Sequence, residues 1–175
     1  MTQSHPDNDT SPEHRAESIA ASHINLLEER LGARAIACSD EWFAEAANLV
    51  KPGRGIFREG HFVSNGQWMD GWESRRSFGR RPPDAPDYDW CILRLGAPGA
   101  VHAVDIDTNH FRGNAPEYAA VDCLFTDDEP DGTADWRELL PRSELQPHSQ
   151  NLFVTAKDTD SQRQCTHLRL RIYPD

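Results

Sequence analysis

The chain has 175 residues, which is long enough for one domain with its own hydrophobic core. Apolar residues make up 37% and charged residues 27%, a balance typical of soluble globular proteins, and no apolar run approaches the roughly 18 residues of a membrane-spanning helix. The net charge of −11 makes nucleic acids and anionic membranes unfavourable partners, although a local basic cluster can still bind a small anionic substrate.

Residues 1–17 are rich in Ser, Pro, Asp, Asn and Thr and are predicted to form a disordered tail, with residues 18–175 as one domain. The tail has no apolar segment of the kind a secretory signal carries. A short helix is expected next, because Ala20, Ile24, Leu27 and Leu31 recur at helical spacing and Gly32 stands where a C-cap glycine would.

Beyond residue 32 the pattern changes to short strands and turns. Ser39 and Asp40 are suited to cap a helical turn over residues 41–48, and residues 96–99 are predicted to turn between two neighbouring strands. Strands are predicted at six segments: 33–38, 89–95, 101–107, 119–125, 151–155 and 166–173.

Many short strands with Gly and Pro turns predict an all-β sandwich. The last predicted strand alternates, with Leu168 and Leu170 on one face and Arg169 and Arg171 on the other. Long polar stretches at 58–88 and 126–149 interrupt the strands, and loops of this kind are where such scaffolds place binding sites.

The four cysteines are widely spaced and form no CxxC pair. Each lies in an apolar, strand-like run, which favours buried reduced thiols over disulfides or metal ligands. This cysteine usage, with the lack of a signal segment, predicts a cytoplasmic protein. The cysteines are Cys38, Cys91, Cys123 and Cys165.

Residues 66–76 hold the densest cluster of chemically useful side chains. Two adjacent arginines can clamp a carboxylate in bidentate fashion, and two nearby carboxylates can accept hydrogen bonds from amide groups or move protons. The alternative is a loop in which the arginines neutralise these carboxylates and the tryptophans fill the core. The cluster contains Trp68, Asp70, Trp72, Glu73, Arg75 and Arg76.

Residues 104–114 form a second cluster. If Val104 and Ile106 face the core, Asp105 and Asp107 share the opposite face, where they can bind a cation or a polar ligand. The spacing only loosely resembles a calcium loop, so no metal site is predicted, and the sequence leaves the need for a divalent cation open. The alternative is a strand end that caps the next turn.

Other candidates are weaker. Asp89 enters an apolar strand either as a turn cap or as a site residue. The histidines form no HxH or HExxH motif, and His110 has the best claim to a role because of its neighbours. The acidic run at 127–131 is most simply a solvated loop.

Several strings resemble the allantoicase repeat in order and spacing, over about residues 21–175. The string WMDGWESRR at 68–76 is long and rare in composition, so it carries most of the resemblance. Tyr88 stands where that family typically has histidine, and the family usually continues past Asp175 with glycines and one more strand, so a repeat truncated at its C-terminus is expected. The matching strings are 38–44, 68–76, 89–96, 105–108, 111–114, 138–143 and 171–175.

The resemblance implies a jelly-roll-like β-sandwich of the galactose-binding-domain type. It also implies a hydrolase of purine catabolism that converts allantoate and water to ureidoglycolate and urea. Allantoicases carry two tandem repeats, so this single repeat is expected to form a homo-oligomer or to pair with a second repeat. The alternative is a non-catalytic ligand-binding or assembly module, in effect half of an enzyme.

Releasing urea from allantoate requires a cation for the carboxylate, acceptors for the ureido NH groups and an acid/base pair. On this chemistry Asn114 would bind a ureido carbonyl through its amide NH₂ group. The hypothesis assigns catalytic roles to Asp70, Glu73, Asp105 and Asp107 and substrate binding to Trp72, Arg75, Arg76 and Asn114.

Overall fold

A computed structural model describes residues 14, 18–19, 21–77, 82, 85–155 and 164–174. The predicted disordered tail, residues 1–17, lies outside the described residues except for His14. The strands, numbered in chain order, are β1 Arg34–Cys38, β2 Phe62–Val63, β3 Gly66–Gln67, β4 Asp89–Gly99, β5 Ala103–Asp107, β6 Tyr118–Leu124, β7 Arg137–Glu144, β8 Gln150–Val154 and β9 Cys165–Tyr173.

Five strands form an antiparallel sheet in the order β1-β4-β9-β6-β7, and β5 pairs with β8 in a separate antiparallel pair. Val104 and Ile106 of β5 and Phe153 of β8 pack against the core, so the pair covers one face of the large sheet. Strands β2 and β3 form a small hairpin outside these layers. The predicted all-β sandwich is confirmed.

The core follows from the two-residue period of the strands. Leu168 and Leu170 of β9 are buried in it, as the alternation predicted. On the other face, Arg169 and Arg171 both form ion pairs with the buried Asp122 of β6. The Nη2 atoms lie 2.8 Å and 2.7 Å from its carboxylate oxygens. The pairing of this carboxylate with two guanidiniums is what allows it to be 3% exposed.

The helical segment near the N-terminus ends earlier than predicted. Residues 18–19 and 21–22 are helical, and a separate 3-10 turn follows at Glu29–Leu31. The Asn25 side chain accepts a bond from the Leu27 amide at 3.0 Å, which satisfies that amide locally in place of a helical carbonyl. Gly32 does end the turn in the left-handed region, with φ 94°, as predicted.

The second helical element also differs in position. Its 3-10 turn lies at Ala46–Val50, later than the predicted 41–48. Asp40 accepts a bond from the Trp42 amide at 3.2 Å, so it does act as a local cap, but for a turn that does not continue into a helix.

The predicted turn at 96–99 is wrong. Strand β4 continues through Gly99, which pairs with Cys165, and β4 and β5 belong to different pairings. Close packing requires Gly96, because a Cβ atom there would lie 2.6 Å from the Leu31 side chain. Strand β7, which contains Pro141, lies inside the polar stretch taken as a loop; it is an edge strand, where proline and exposed polar residues are tolerated.

Candidate functional site

A cavity of about 610 Å³ lies between residues 70–76, the end of β5 with the loop after it, and the end of β9. We call it the large cavity. Most of the predicted site residues line it, although they come from two distant parts of the chain. These are Asp70, Trp72, Glu73, Arg75, Arg76, Asp107 and Asn114.

Glu73 is fixed in the wall of the large cavity by its own backbone. Its NH donates to Ala44 O at 3.1 Å, and its carbonyl accepts from the Ala44 amide at 3.2 Å. Its side-chain Oε1 accepts a bond from Asn114 Nδ2 at 2.6 Å. Burial raises the pKa of Glu73 above its usual value even though this hydrogen bond acts in the opposite direction. Glu73 is therefore suited to hold a proton to higher pH than a free glutamate does.

Arg75 is anchored by Asp40. Its Nε and Nη2 donate to Asp40 Oδ2 at 2.9 Å and 2.5 Å, and its backbone NH donates to Oδ1 at 2.8 Å. Burial alone would raise the pKa of Asp40, but the bonds from Arg75 outweigh it and hold that pKa below its usual value. The ring of Trp42 lies under the guanidinium, 4.7 Å from Cζ.

The alternative of an ion-paired loop is therefore correct for Arg75, but its carboxylate partner is not one of the two that were predicted. Arg75 pairs with a carboxylate 35 residues earlier in the chain, not with Asp70 or Glu73. The sequence pattern predicts only a turn cap at Asp40, because a single carboxylate after a strand carries no signal for its distant partner. Trp72 also donates its Nε1–H to Asp40 O at 2.8 Å, so Asp40 binds two residues of the 68–76 loop.

Asp70 and Asp107 are held by donors from the segment 51–56, which the sequence did not single out. Lys51 Nζ lies 3.3 Å from Asp70 Oδ1, and the Ile56 amide donates to Oδ2 at 3.0 Å. Arg54 binds Asp107 through Nε and Nη2 at 2.6 Å and 2.9 Å. Both carboxylates thus face the large cavity in fixed orientations.

Asp105 lies apart from the other predicted site residues. It is exposed, accepts a bond from Gln150 Nε2 at 2.8 Å and does not line the large cavity. The shared face expected for Asp105 and Asp107 does not place both at the site, since Ile106 and Asp107 line the cavity where β5 ends.

Arg76 and Gly71 complete the loop that carries the predicted site. Arg76 Nη1 donates to Pro174 O at 3.2 Å, which ties the loop to the end of β9. A Cβ atom at Gly71 would lie 2.8 Å from Phe111 Cε2, so glycine is required for the loop to approach the turn after β5.

Two further residues noted in the sequence lie elsewhere. Asp89 is 2% exposed and accepts a bond from Ser39 Oγ at 2.6 Å, which links the start of β4 to the end of β1. Tyr88 packs edge-on against Tyr173 with 5.3 Å between ring centroids and does not line the large cavity.

Among the described residues, no group of three or more His, Cys, Asp or Glu side chains is arranged to hold a metal ion. The structure describes all four cysteines, none of which forms a disulfide, and three of them are buried. Within the same residues, no helix has both the length and the apolar character needed to cross a membrane.

Comparison with known proteins identifies relatives along nearly the whole chain. A family model described as the allantoicase repeat matches residues 24–175. A protein of Pseudomonas aeruginosa (strain UCBPP-PA14) named "Probable allantoicase" is 42% identical over 154 residues, or 87% of this chain and 43% of the relative. "Probable allantoicase 1" of Burkholderia mallei is 37% identical over 161 residues, covering 91% of this chain and 45% of the relative.

Solved structures agree with these matches. The crystal structure of an allantoicase from Saccharomyces cerevisiae superposes with a TM-score of 0.73 at 30% identity, covering 95% of this chain and 50% of that chain. A structure of reduced XRCC1 bound to a DNA polymerase β catalytic domain reaches a TM-score of 0.52 at 12% identity, which shows the shared fold alone. The chain spans less than half the length of the curated relatives it matches.

Proposed function

We propose that this chain, which belongs to the allantoicase family, contributes the hydrolysis of allantoate to ureidoglycolate and urea. The observation that carries the proposal is Glu73, a carboxyl group with a raised pKa that lines the large cavity together with Arg75 and Arg76. The volume of about 610 Å³ is in the range of small-molecule sites.

The two arginines are the proposed cations for the substrate carboxylate. Arg75 is oriented by Asp40 and Trp42, so little side-chain entropy is lost when it binds a ligand. Arg76 lines the same wall and is tied to the end of β9. Two guanidiniums on one wall favour a planar carboxylate over a neutral group.

Glu73 is the proposed general acid. In its protonated form it gives a proton to the nitrogen of the leaving urea as the C–N bond breaks. Asn114 donates one amide hydrogen to Glu73, and its second amide hydrogen is the proposed donor to a ureido carbonyl. Asp70 or Asp107 takes the proton from the water whose oxygen replaces urea at the central carbon. We leave Asp105 out of this mechanism because it lies outside the large cavity.

We further propose that the chain acts together with a second repeat or a second copy of itself in the cytoplasm. Its relatives are more than twice as long as the matched region. Exposed apolar side chains lie around the hairpin and the segment before it, and covering them would favour association. They are Trp42, Ile56, Phe57, Phe62 and Val63. The free cysteines support a reducing compartment.

Urea release from allantoate by the purified chain tests the proposal. Glu73→Gln should lower kcat by roughly 10²- to 10⁴-fold, because the amide cannot supply the proton. Arg75→Ala should raise KM. Asp105→Asn is the matched comparison, since it makes the same carboxyl-to-amide change outside the large cavity and should change the rate little.

Full activity in both Glu73→Gln and Arg75→Ala would remove the 68–76 loop from the mechanism. Urea release that appears only after a second repeat is added would show that the chain is half of an enzyme. Allantoate binding without urea release under both conditions would favour the non-catalytic binding module.

A further inference from the structure

Three side chains stand side by side across the edge of the large sheet. In the strand register Arg34 of β1 lies opposite Arg94 of β4, and Arg94 lies opposite His167 of β9. All three line a second cavity of about 210 Å³, together with Thr126, Thr166 and the segment 95–98. We call it the small cavity; it shares no described lining residue with the large one.

The charges in this row are not balanced. Like charges directly opposite one another on neighbouring strands are destabilising. Arg34 Nη2 is paired with Glu129 Oε1 at 2.6 Å. Arg94, by contrast, forms no hydrogen bond or ion pair with any residue that the structure describes. The guanidinium of Arg94 therefore has its full donor capacity available at the small cavity.

His167 is buried, at 2% exposure, and one of its ring nitrogens lies 2.9 Å from Thr166 Oγ1. That hydroxyl lies 2.9 Å from Thr126 O, a carbonyl that can only accept, so the hydroxyl proton goes there. Thr166 Oγ1 must then accept from His167, which places the imidazole proton on Nδ1. Nε2 is left as a lone-pair acceptor, and it is buried with no hydrogen-bond partner among the described residues.

Buried polar atoms in native proteins nearly always have a partner. The ligand that would satisfy this site needs oxygens that accept from Arg94 and a hydroxyl that donates to Nε2. A cavity of about 210 Å³ has room for such a group, since one water takes roughly 30 Å³ of liquid volume.

We propose that the small cavity binds a small protonated oxyanion with the chemistry of hydrogen phosphate, either free or as the phosphate group of a metabolite. The phosphoryl oxygens accept hydrogen bonds from Arg94 and Arg34, and the P–OH group donates to His167 Nε2. Asp127, which is exposed at the rim, disfavours the fully ionised form of a phosphate monoester, which has no P–OH group, and so favours a form that keeps one proton.

His167 fits this role in a second way. Burial first, and then the neighbouring Arg94, lower the pKa of the imidazole below its usual value. Nε2 therefore stays unprotonated at neutral pH. Sulfate carries no proton at that pH and would place an oxygen lone pair against the Nε2 lone pair, so it should bind more weakly than phosphate.

Calorimetric titration of the full chain in a phosphate-free buffer at constant ionic strength tests the proposal. Inorganic phosphate, glycerol phosphate and sulfate are titrated into the wild type, Arg94→Gln and Arg58→Gln. Arg58 is the matched control, because it is an exposed arginine that stacks on Trp68 and lines neither cavity. Arg94 is exposed, so replacing it leaves the core intact.

We expect one phosphate site per chain, weakened roughly 10- to 100-fold in Arg94→Gln and unchanged in Arg58→Gln. Sulfate should bind at least about tenfold more weakly than phosphate, which is what one lost hydrogen bond costs. Tighter binding of glycerol phosphate than of inorganic phosphate would identify a metabolite as the source, and the reverse order would identify the free ion.

Two results would overturn the proposal. The first is no saturable phosphate binding by the wild type, which would mean that water alone fills the small cavity. The second is an equal loss in Arg94→Gln and Arg58→Gln, which would show a general charge effect. As an independent check, phosphate should shift the ¹⁵N resonance of His167 Nε2, and an unchanged resonance would also count against the site.

Discussion

The large and small cavities differ in how their polar groups are satisfied. In the large cavity each carboxylate meets a donor: Asp70 meets Lys51, Asp107 meets Arg54, and Glu73 meets Asn114. In the small cavity a guanidinium and an imidazole nitrogen are left without partners among the described residues. A site for chemistry needs oriented groups with shifted pKa values, whereas a site for binding is recognised by hydrogen-bonding capacity that the protein itself leaves unused.

The two regions also reach their geometry by different routes. The large cavity is assembled from loops, and side-chain bonds such as Asp40–Arg75 connect segments far apart in the chain. The small cavity is set by strand register, so Arg34, Arg94 and His167 cannot move apart without breaking the sheet. Removing a side-chain hydrogen bond should therefore destabilise the loops around the large cavity. Removing a charge should instead relieve the repulsion between like charges at the small cavity.

The largest expected contrast is in pH dependence. Because burial raises the pKa of Glu73, the folded protein keeps this proton to higher pH than a free glutamate would. Urea release that depends on protonated Glu73 should then fall as pH rises through the raised pKa, by up to about tenfold per pH unit. A pH–rate profile of kcat measures this decline. If the residual activity of Glu73→Gln showed the same fall of kcat with rising pH, the titrating group would be a residue other than Glu73.

An intermediate effect is expected from Asp40→Asn. Loss of the charge that holds Arg75 should lower the free energy of unfolding by about 1–2 kcal/mol, measured by denaturant titration, and should raise KM more than it lowers kcat. Asp128→Asn, on the exposed loop, is the control and should stay within about 0.5 kcal/mol of wild type.

The pH dependence of the Asp40 effect provides a further check. The pKa of Asp40 is lowered in the folded state, so its contribution to stability is present above the unfolded pKa and is lost as pH falls through the folded one. The difference between wild type and Asp40→Asn should therefore shrink below about pH 4. A difference that stayed constant to lower pH would mean that the carboxylate charge is not what stabilises the loop.

The smallest expected effect is a gain in stability. Arg94→Gln removes the like-charge contact with Arg34, so in phosphate-free buffer it should raise the free energy of unfolding by a few tenths of a kcal/mol. Added phosphate should reverse the order, since a ligand that binds only the folded wild type stabilises it. Thermal melts with and without phosphate measure the gain in stability and its reversal. A loss of stability in Arg94→Gln without phosphate would mean that the Arg94 guanidinium already has a stabilising partner.

Much of the fold could be predicted from local patterns. The β-branched and apolar alternation of residues 166–173 is enough to place β9, whose buried and exposed faces follow from its own sequence. The pattern fails at β7, where an edge strand with Pro141 and charged side chains resembles a loop. It also fails at Gly96 to Gly99, where residues typical of turns lie within a strand. Glycine is needed at position 96 because Leu31 packs closely against it.

The candidate site was predictable to the extent that it lies in contiguous strings. Residues 66–76 stand out by composition, and the five residues there that were assigned catalytic or binding roles line the large cavity, whereas Trp68 does not. Asp40, Lys51 and Arg54 did not stand out, because single charged residues gain meaning only from partners 19 to 53 residues away. The sequence also predicts a site role for Asp105, because strand alternation does not show where a strand ends relative to a cavity.

By itself, the sequence determined the all-β class, most of the strands, the family resemblance and the loop that holds most of the predicted site residues, because each of these is encoded in neighbouring residues. Only the tertiary structure decided which carboxylate holds Arg75, that Glu73 is buried enough to raise its pKa, and that Arg34, Arg94 and His167 share one cavity. These depend on strand register and long-range packing, which bring together groups that no local pattern connects.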